Sequence, residues 1–397
     1  MNIGMILDEE FPPDPRVENE AIALINAGHN VFLFCLRYNN SQASSESIHK
    51  IQVKRYLSNK LAYKLSALAY TFPFYKLMLK SKIKHFLQEN NIDAIHIHDL
   101  RIADTVFSTN QKLKLPTILD LHENRPEIMK FYPHLTKFPG KFLISPKKWK
   151  KNEEKFIKKA DKVIVVTKES KKEINKRVQI NADKIIDVPN TVRKDFFTKH
   201  STYPDILNRY ENHFVLLYIG DTGLRRGLQT AIKSLVFLSY KIPNIKLVVV
   251  GKNSTDLILK QLAKDLKVEK YVDFLGWKDP KYFSSYILSS AVCISPLHRN
   301  LHHDTTYANK IFQYMSFGKP LLVSDATAQK NLTENYKSGL VHKAEDVNDF
   351  ADKTMQLYKN EALRTELSAN GKGFVRNKFS WEQTSKKLIY LYDNLLN

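Results

Sequence analysis

From His298 to Asp325 the chain reads HRNLHHDTTYANKIFQYMSFGKPLLVSD, a polar, histidine-rich loop, then a short helical stretch, then an apolar strand. Lys310 and Gln313 fall on the first turns of that helix, and Gly318-Lys319-Pro320 ends it. Glycine is a common helix stop, and proline cannot continue one. A helix start offers unpaired N–H groups, and Lys310 adds a full positive charge, a combination suited to a phosphorylated ligand. Arg225 and Arg226 form a second cationic pair ahead of Gly227 and another helical stretch. Cations at a helix start oppose its dipole unless an anion joins them. His122 and Glu123 follow the apolar run Thr117–Leu121 and so belong at the carboxyl end of a strand. Asp99, in His-Ile-His-Asp, takes another strand end. Asp14 and Arg16 lie in the first loop, either as ligand contacts or as a structural pair. His298, His302 and His303 are not expected to hold a metal, because no carboxylate has clear ligand spacing to them.

These residues need strands and helices in strict alternation. In the first half, β-rich runs at Asn2–Leu7, Asn30–Cys35, Ala94–His98, Thr117–Leu121, Lys162–Thr167 and Ile185–Pro189 alternate with helical patterns such as Arg16–Ala27 and Ser81–Asn90. A second series starts at Phe214 and repeats the pattern through SGLVH. Alternation of this kind predicts doubly wound, mostly parallel sheets. With 397 residues, two domains are expected. We expect an N-terminal domain over 1–195, a polar linker near 191–210, a C-terminal domain over 205–375, and a closing amphipathic helix over 376–397 that returns to the first domain. Two such α/β domains are expected to face each other across a cleft at the carboxyl ends of their strands.

Cys35 and Cys293 stand far apart in apolar runs, which fits core residues in a reducing compartment. The N-terminus has no basic leader, and no apolar window is long enough to span a membrane, so the cytoplasm is expected. The net charge is +21, and residues 51–160 carry 22 Lys and Arg against 9 Asp and Glu. Such a concentration attracts polyanions, and an anionic membrane surface is the candidate partner. Nucleic acid is not expected, since no recognition module is present. Residues 60–87 interleave Leu, Tyr and Phe with Lys around Pro73. They read either as an interfacial element or as a helix packed on the sheet.

Six segments, in order, resemble glycosyltransferase family 4, whose members are retaining enzymes of the GT-B fold that use nucleotide sugars. They are FPPDPRVENEAIALINAGHNV, LDLHE, VPNTV, YIGDTGLRRGL, KIFQYMSFGKPLLVSD and FSWEQTSKKLIYLYDNLL. The resemblance implies two Rossmann-like domains and transfer of a sugar from a UDP- or GDP-sugar, without a metal or other cofactor. The acceptor would be a hydroxyl of a glycan or lipid-linked molecule, in surface polysaccharide synthesis. It places His122, Glu123, Arg226 and Lys310 at the reaction. His122 would contact the donor sugar, where a neutral imidazole can hydrogen-bond a hydroxyl. Gly220, Asp221, Arg225 and Gly276 would bind the donor, as would Asp304, Thr305, Asn309 and Gln313. Asp14, Arg16 and Asp99 would lie on the acceptor side. The chain departs from the family in three places. Gln313 and Thr305, with Asp304 beside it, stand where two glutamates eight residues apart are usual. Asp221 stands where the Gly-Arg motif has arginine. Other readings are a sugar-nucleotide epimerase on the same fold, or a glycan- or membrane-binding scaffold without catalysis.

Overall fold

A computed structural model describes residues 1–132, 135, 137, 138 and 140–395. Contacts divide the chain into two compact units, Met1–Pro189 with Ser385–Asn397, and Asn190–Thr384.

The first unit is built on eight strands: β1 (Asn2–Glu10), β2 (Asn30–Arg37), β3 (Ser45–Ile48), β4 (Ile51–Leu57), β5 (Ala94–His98), β6 (Thr117–Leu121), β7 (Lys162–Val165) and β8 (Ile185–Asp187). Their order is β3-β4-β2-β1-β5-β6-β7-β8, parallel except where β3 meets β4. The chain winds outward from β1 to one side through β2 and to the other through β5. The crevice at a reversal of this kind, outside the carboxyl ends of the strands, is where open α/β sheets hold ligands. β3 and β4 were not anticipated. Lys54 and Arg55 disguise the second of them as part of the basic run, yet Arg55 is 4% exposed and donates to the Phe11 carbonyl at 3.0 Å.

The second unit carries β9 (Phe214–Ile219), β10 (Ile245–Val250), β11 (Val272–Gly276), β12 (Val292–Ser295), β13 (Leu321–Ser324) and β14 (Gly339–His342). The order is β11-β10-β9-β12-β13-β14, all parallel. Both faces are covered, which is why these strands read as continuous apolar runs. Val215, Leu217 and Ile219 belong to one apolar cluster, while Phe214, Leu216 and Tyr218 belong to the other. Here the winding reverses between β9 and β12.

Two boundaries differ from expectation, and a break at Pro73 is as expected. The stretch expected to link the domains forms helices Lys194–Thr198 and Pro204–Tyr210 within the second unit. Phe197 and Tyr210 are buried there, and Pro204 opens a helix, where its missing N–H is harmless. The closing segment is not one helix. It breaks into Trp381–Thr384 and Lys386–Asp393, and the backbone N–H of Trp381, at the start of the first, donates to the Val192 carbonyl at 2.8 Å. Leu388, Leu391 and Tyr392 are buried in the first unit. Residues 60–87 split at Pro73 into helices Lys60–Ser66 and Phe74–Glu89. Tyr75, Leu79, Ile83 and Phe86 of the longer helix pack into the core, three or four residues apart.

Candidate active site

Each unit gathers charged side chains at the carboxyl ends of its strands. In the first, β5 and β6 are neighbours, and His98 lies level with Asp120. Strand alternation puts His96 and His98 on one face of β5, and Asp120 and His122 on one face at the end of β6. Helix Pro15–Asn26 brings Arg16 and Glu20, one turn apart, against them. The Arg16 guanidinium grips Asp120 with two bonds of 2.7 and 2.9 Å, reaches Glu20 at 2.9 Å, and donates to the Val188 carbonyl at 3.1 Å. Asp120 Oδ2 is also 2.9 Å from His122 Nε2, which lies 3.2 Å from His98 Nδ1. His96 meets the Tyr392 hydroxyl at 2.8 Å and Glu20 at 3.3 Å. Arg16, Glu20, His96, His98 and Asp120 are all buried, whereas His122 is 20% exposed and brings the network to the surface.

The protonation of this network follows from its charges. Burial disfavours a charged His122, but the Asp120 carboxylate outweighs burial and pushes the ring up to about 9. The neutral imidazole expected from the sequence is thereby corrected: at neutral pH His122 is an imidazolium, a donor through both nitrogens. Burial alone would raise Asp120, yet Arg16 and His122 hold its carboxyl well below the usual range. Burial lifts Glu20 to about 7 against the pull of Arg16. His98, buried beside His96 and His122, is held well below an ordinary imidazole and stays neutral. Glu20, His96, His98 and Asp120 bring four potential metal-ligating atoms within 4.8 Å of one another. The Arg16 guanidinium touches both carboxylates of that set.

The neighbouring residues hold the loops. Asp14 caps helix Pro15–Asn26 by accepting from the backbone N–H of Arg16 and Val17 at 3.0 and 3.1 Å. Asp99 takes a left-handed conformation at φ +67° and pairs with Arg125 Nε at 3.1 Å. Its carboxyl is buried, yet Arg125 keeps it ionised below the usual range. Glu123 lies 3.3 Å from the same guanidinium.

In the second unit, the loop Gly220–Gly227 leaves β9 and meets the segment Pro296–His303 that leaves β12. Glycine is obligatory at two places. A Cβ at Gly227 would stand 1.7 Å from the Pro296 carbonyl oxygen, and one at Gly251 1.8 Å from that of Gly220. Both residues have positive φ, at +78° and +152°. Asp221 is the anionic hinge of the loop. It accepts from Arg226 Nε at 3.2 Å, Asn253 at 2.6 Å and the Gly223 N–H at 3.3 Å, and it lies 3.8 Å from Arg225. His303 Nδ1 donates to the His298 carbonyl at 2.7 Å, which leaves Nε2 to accept from Arg225 Nη1 at 3.1 Å. Burial and the two arginines together drive His303 down to about 3, so it aims Arg225 as a neutral ring.

Lys310 Nζ stands 3.2 Å from the centroid of the Tyr218 ring and 3.7 Å from where a Cβ of Gly220 would be. Burial first, then the Arg226 charge, pull the Lys310 ammonium well below its ordinary range, with Asp221 opposing them. Arg225 and Arg226 thus share the Asp221 carboxylate, and Lys310 feels the same charges without a carboxylate contact of its own, a positive excess that a bound anion would relieve.

Other expected donor contacts are placed differently. Asp304 is engaged elsewhere: it accepts from the Thr327 N–H at 2.8 Å and pairs with Arg299 at 3.2 Å. It ties helix Leu301–Thr305 to helix Thr327–Asn335. The Thr305 hydroxyl donates to the Leu301 carbonyl at 2.7 Å, and the residue is buried. Asn309 is exposed at the start of helix Lys310–Ser316, and Gln313 is half-buried on it. Gly276 has φ +68° with open space around it.

The family model described as Glycosyltransferase Family 4 matches residues 16–196, and that described as Glycosyl transferases group 1 matches residues 200–374. The chain belongs to the family 4-like glycosyltransferases. Its two parallel-sheet domains are those of the GT-B fold. HepE of Anabaena, solved in complex with UDP, superposes with a TM-score of 0.74 at 14% identity, over 99% of this chain and 100% of its own. N-acetyl-alpha-D-glucosaminyl L-malate synthase of Bacillus anthracis is 21% identical over 333 residues, 82% of this chain and 80% of that one. The capsular polysaccharide biosynthesis glycosyltransferase CapM of Staphylococcus aureus is 25% identical over 202 residues, so the match spans about half (49%) of that relative.

In this glycosyltransferase, sequence reasoning passed over Asp120, Glu20, His98 and Arg125, and weighed His303 only as a metal ligand. His98 and Asp120 had a signal: His and Asp at alternate positions in His-Ile-His-Asp and Asp-Leu-His, one step from the strand ends. Arg125 and His303 had none, because their partners lie 26 and 78 residues away in the chain.

Proposed function

We propose that this glycosyltransferase is a retaining enzyme that moves a sugar from a UDP- or GDP-sugar to a hydroxyl of a glycan or lipid-linked acceptor, at the cytoplasmic face of a membrane, in the synthesis of surface polysaccharide or glycolipid. The observation that carries the donor class is the pairing of Arg225 and Arg226 with the one carboxylate of Asp221, with Lys310 desolvated over the Tyr218 ring within electrostatic reach of the same charges. A diphosphate leaving group gains charge as its bond to the sugar breaks, and fixed cations stabilise that charge. The UDP complex of the HepE neighbour supports the same donor class.

In the proposed reaction the bond from the sugar C1 to the phosphate oxygen breaks and a bond from C1 to the acceptor oxygen forms on the same face. The acceptor proton passes to the departing phosphate. His122, as an imidazolium, donates a hydrogen bond to a sugar hydroxyl, with Asp120 and Arg16 fixing its orientation. Gln313 serves as a neutral hydrogen-bonding group where the family usually has a carboxylate.

A panel of UDP- and GDP-sugars tested by thermal shift, followed by acceptor-free hydrolysis of the best binder, tests this reading. One nucleotide sugar should raise the melting temperature and be hydrolysed slowly, with the released sugar first appearing as the anomer of the donor. Epimerised nucleotide sugar as the product, or no stabilisation by any donor, would overturn it.

A further inference from the structure

We infer that the first unit docks on an anionic lipid bilayer through the helical hairpin around Pro73 together with helix Gly140–Leu143. Side chains that ought to be buried point outward here. Leu61 is 64% exposed, Phe74 55%, Leu77 63%, Phe138 84% and Phe142 76%. The two segments meet: the Thr71 hydroxyl, between the two helices of the hairpin, donates to the Leu143 carbonyl at 2.7 Å. Phe72 packs near Phe74 and Phe138 near Phe142, with centroids 5.9 and 6.3 Å apart. The inner faces of the same segments are anchored, through Tyr75 and Leu79 on one side and Ile144 and Trp149 on the other. The outward rings are therefore not the loose end of a poorly packed helix.

Charge identifies the occupant. Residues 57–88 contain six lysines and no Asp or Glu, and residues 128–152 contain seven lysines and no Asp or Glu. Lys76 reaches Asp104, and Lys130 and Lys150 reach Glu127. Among the described residues, Lys64, Lys80, Lys141, Lys147, Lys148 and Lys151 are exposed and form no ion pair. An apolar patch rimmed by lysine and without carboxylates suits a surface that offers hydrocarbon beneath a layer of negative headgroups. The long lysine stems can lie along the acyl boundary while the ammonium groups stay with the phosphates. A second copy of this chain is a poor occupant, since two such faces would repel each other.

The inference goes beyond the proposed reaction and does not rest on it. The full chain is sedimented with vesicles of phosphatidylcholine, with and without about one quarter phosphatidylglycerol. The protein should pellet with the anionic vesicles, weakly with the neutral ones, and be released by salt. Phe138→Ser with Phe142→Ser, and separately Lys141→Glu with Lys148→Glu, should each weaken partitioning by roughly tenfold, since one apolar or electrostatic anchor is lost. All four side chains are exposed, so melting temperature and hydrolysis of a soluble donor should stay unchanged. Equal pelleting of wild type and both double variants, or self-association of the chain without vesicle binding, would overturn the inference. Absence of donor hydrolysis in the wild type, with vesicle binding intact, would instead count against the proposed reaction alone.

Discussion

Lys310→Ala is expected to lower kcat/KM for the donor by about 10²–10³, the usual loss when a fixed charge at a developing anion is removed. Arg226→Ala should fall in the same range. The Lys310 substitution has a second, diagnostic signature. Most buried cations stabilise the fold through a carboxylate partner, so removing them lowers stability. Lys310 is instead desolvated beside Arg226, and its ammonium is disfavoured in the folded protein. Removing it relieves that repulsion. The melting temperature of the unliganded variant should therefore be unchanged or higher, while activity collapses. Activity assays and thermal denaturation of the same preparation check this directly. A variant that loses stability together with activity would mark Lys310 as a structural residue.

Asp120→Ala is expected to act in the opposite way, through stability. It strips the carboxylate from Arg16 and His122 at once and leaves a buried guanidinium without its two-bond partner. Breaking one side of a buried pair costs about 3–5 kcal/mol. For a unit of this size that is a fall in melting temperature of roughly 10 °C. The pH dependence should change as well. His122 has its pKa raised from 6.5 to about 9 in the folded protein, so its contribution is complete below 6.5 and is lost as pH rises through about 9. A shift of that size corresponds to on the order of 3 kcal/mol. Wild-type stability should decline between neutral pH and about 9 for this reason. Glu20, raised from 4.5 to about 7, is half-titrated at neutral pH and adds to the early part of the same decline. In Asp120→Ala the decline should disappear and the His122 resonance, followed by NMR, should titrate far lower. A parallel decline in both proteins would assign it to another group.

The folding pattern was readable because parallel sheets covered on both faces leave apolar runs, and β2, β9, β10, β12 and β13 are such runs. β4 escaped because Arg55 sits in it, and a buried arginine looks like surface until its partner, the Phe11 carbonyl, is known. The domain boundary moved for a related reason. Asn190–Tyr210 is polar in composition but contributes Phe197 and Tyr210 to the core of the second unit. At the site, positions that follow strand ends could be located: His122, Asp99, Asp221, Arg226. What those side chains touch could not. Asp304 looked available for ligand and proved to hold Thr327 and Arg299. His122 looked neutral because Asp120, two residues away on the same face of β6, was not counted as its partner. Spacing along the chain places a residue at a strand end, but its charge state depends on neighbours brought in from other strands and helices.

The central claim is that Arg225, Arg226 and Lys310 form a diphosphate site that is strained until it is filled. Calorimetric titration of the whole chain with UDP or GDP and with the matching monophosphate, in two buffers of different ionisation enthalpy, tests it most directly. The claim predicts that the diphosphate binds at least about tenfold more tightly than the monophosphate, as loss of one charge-assisted contact implies. It also predicts that binding takes up protons, because the anion raises the depressed pKa of Lys310, so that affinity weakens as pH rises. Equal affinity for monophosphate and diphosphate, with heats independent of buffer, would contradict it.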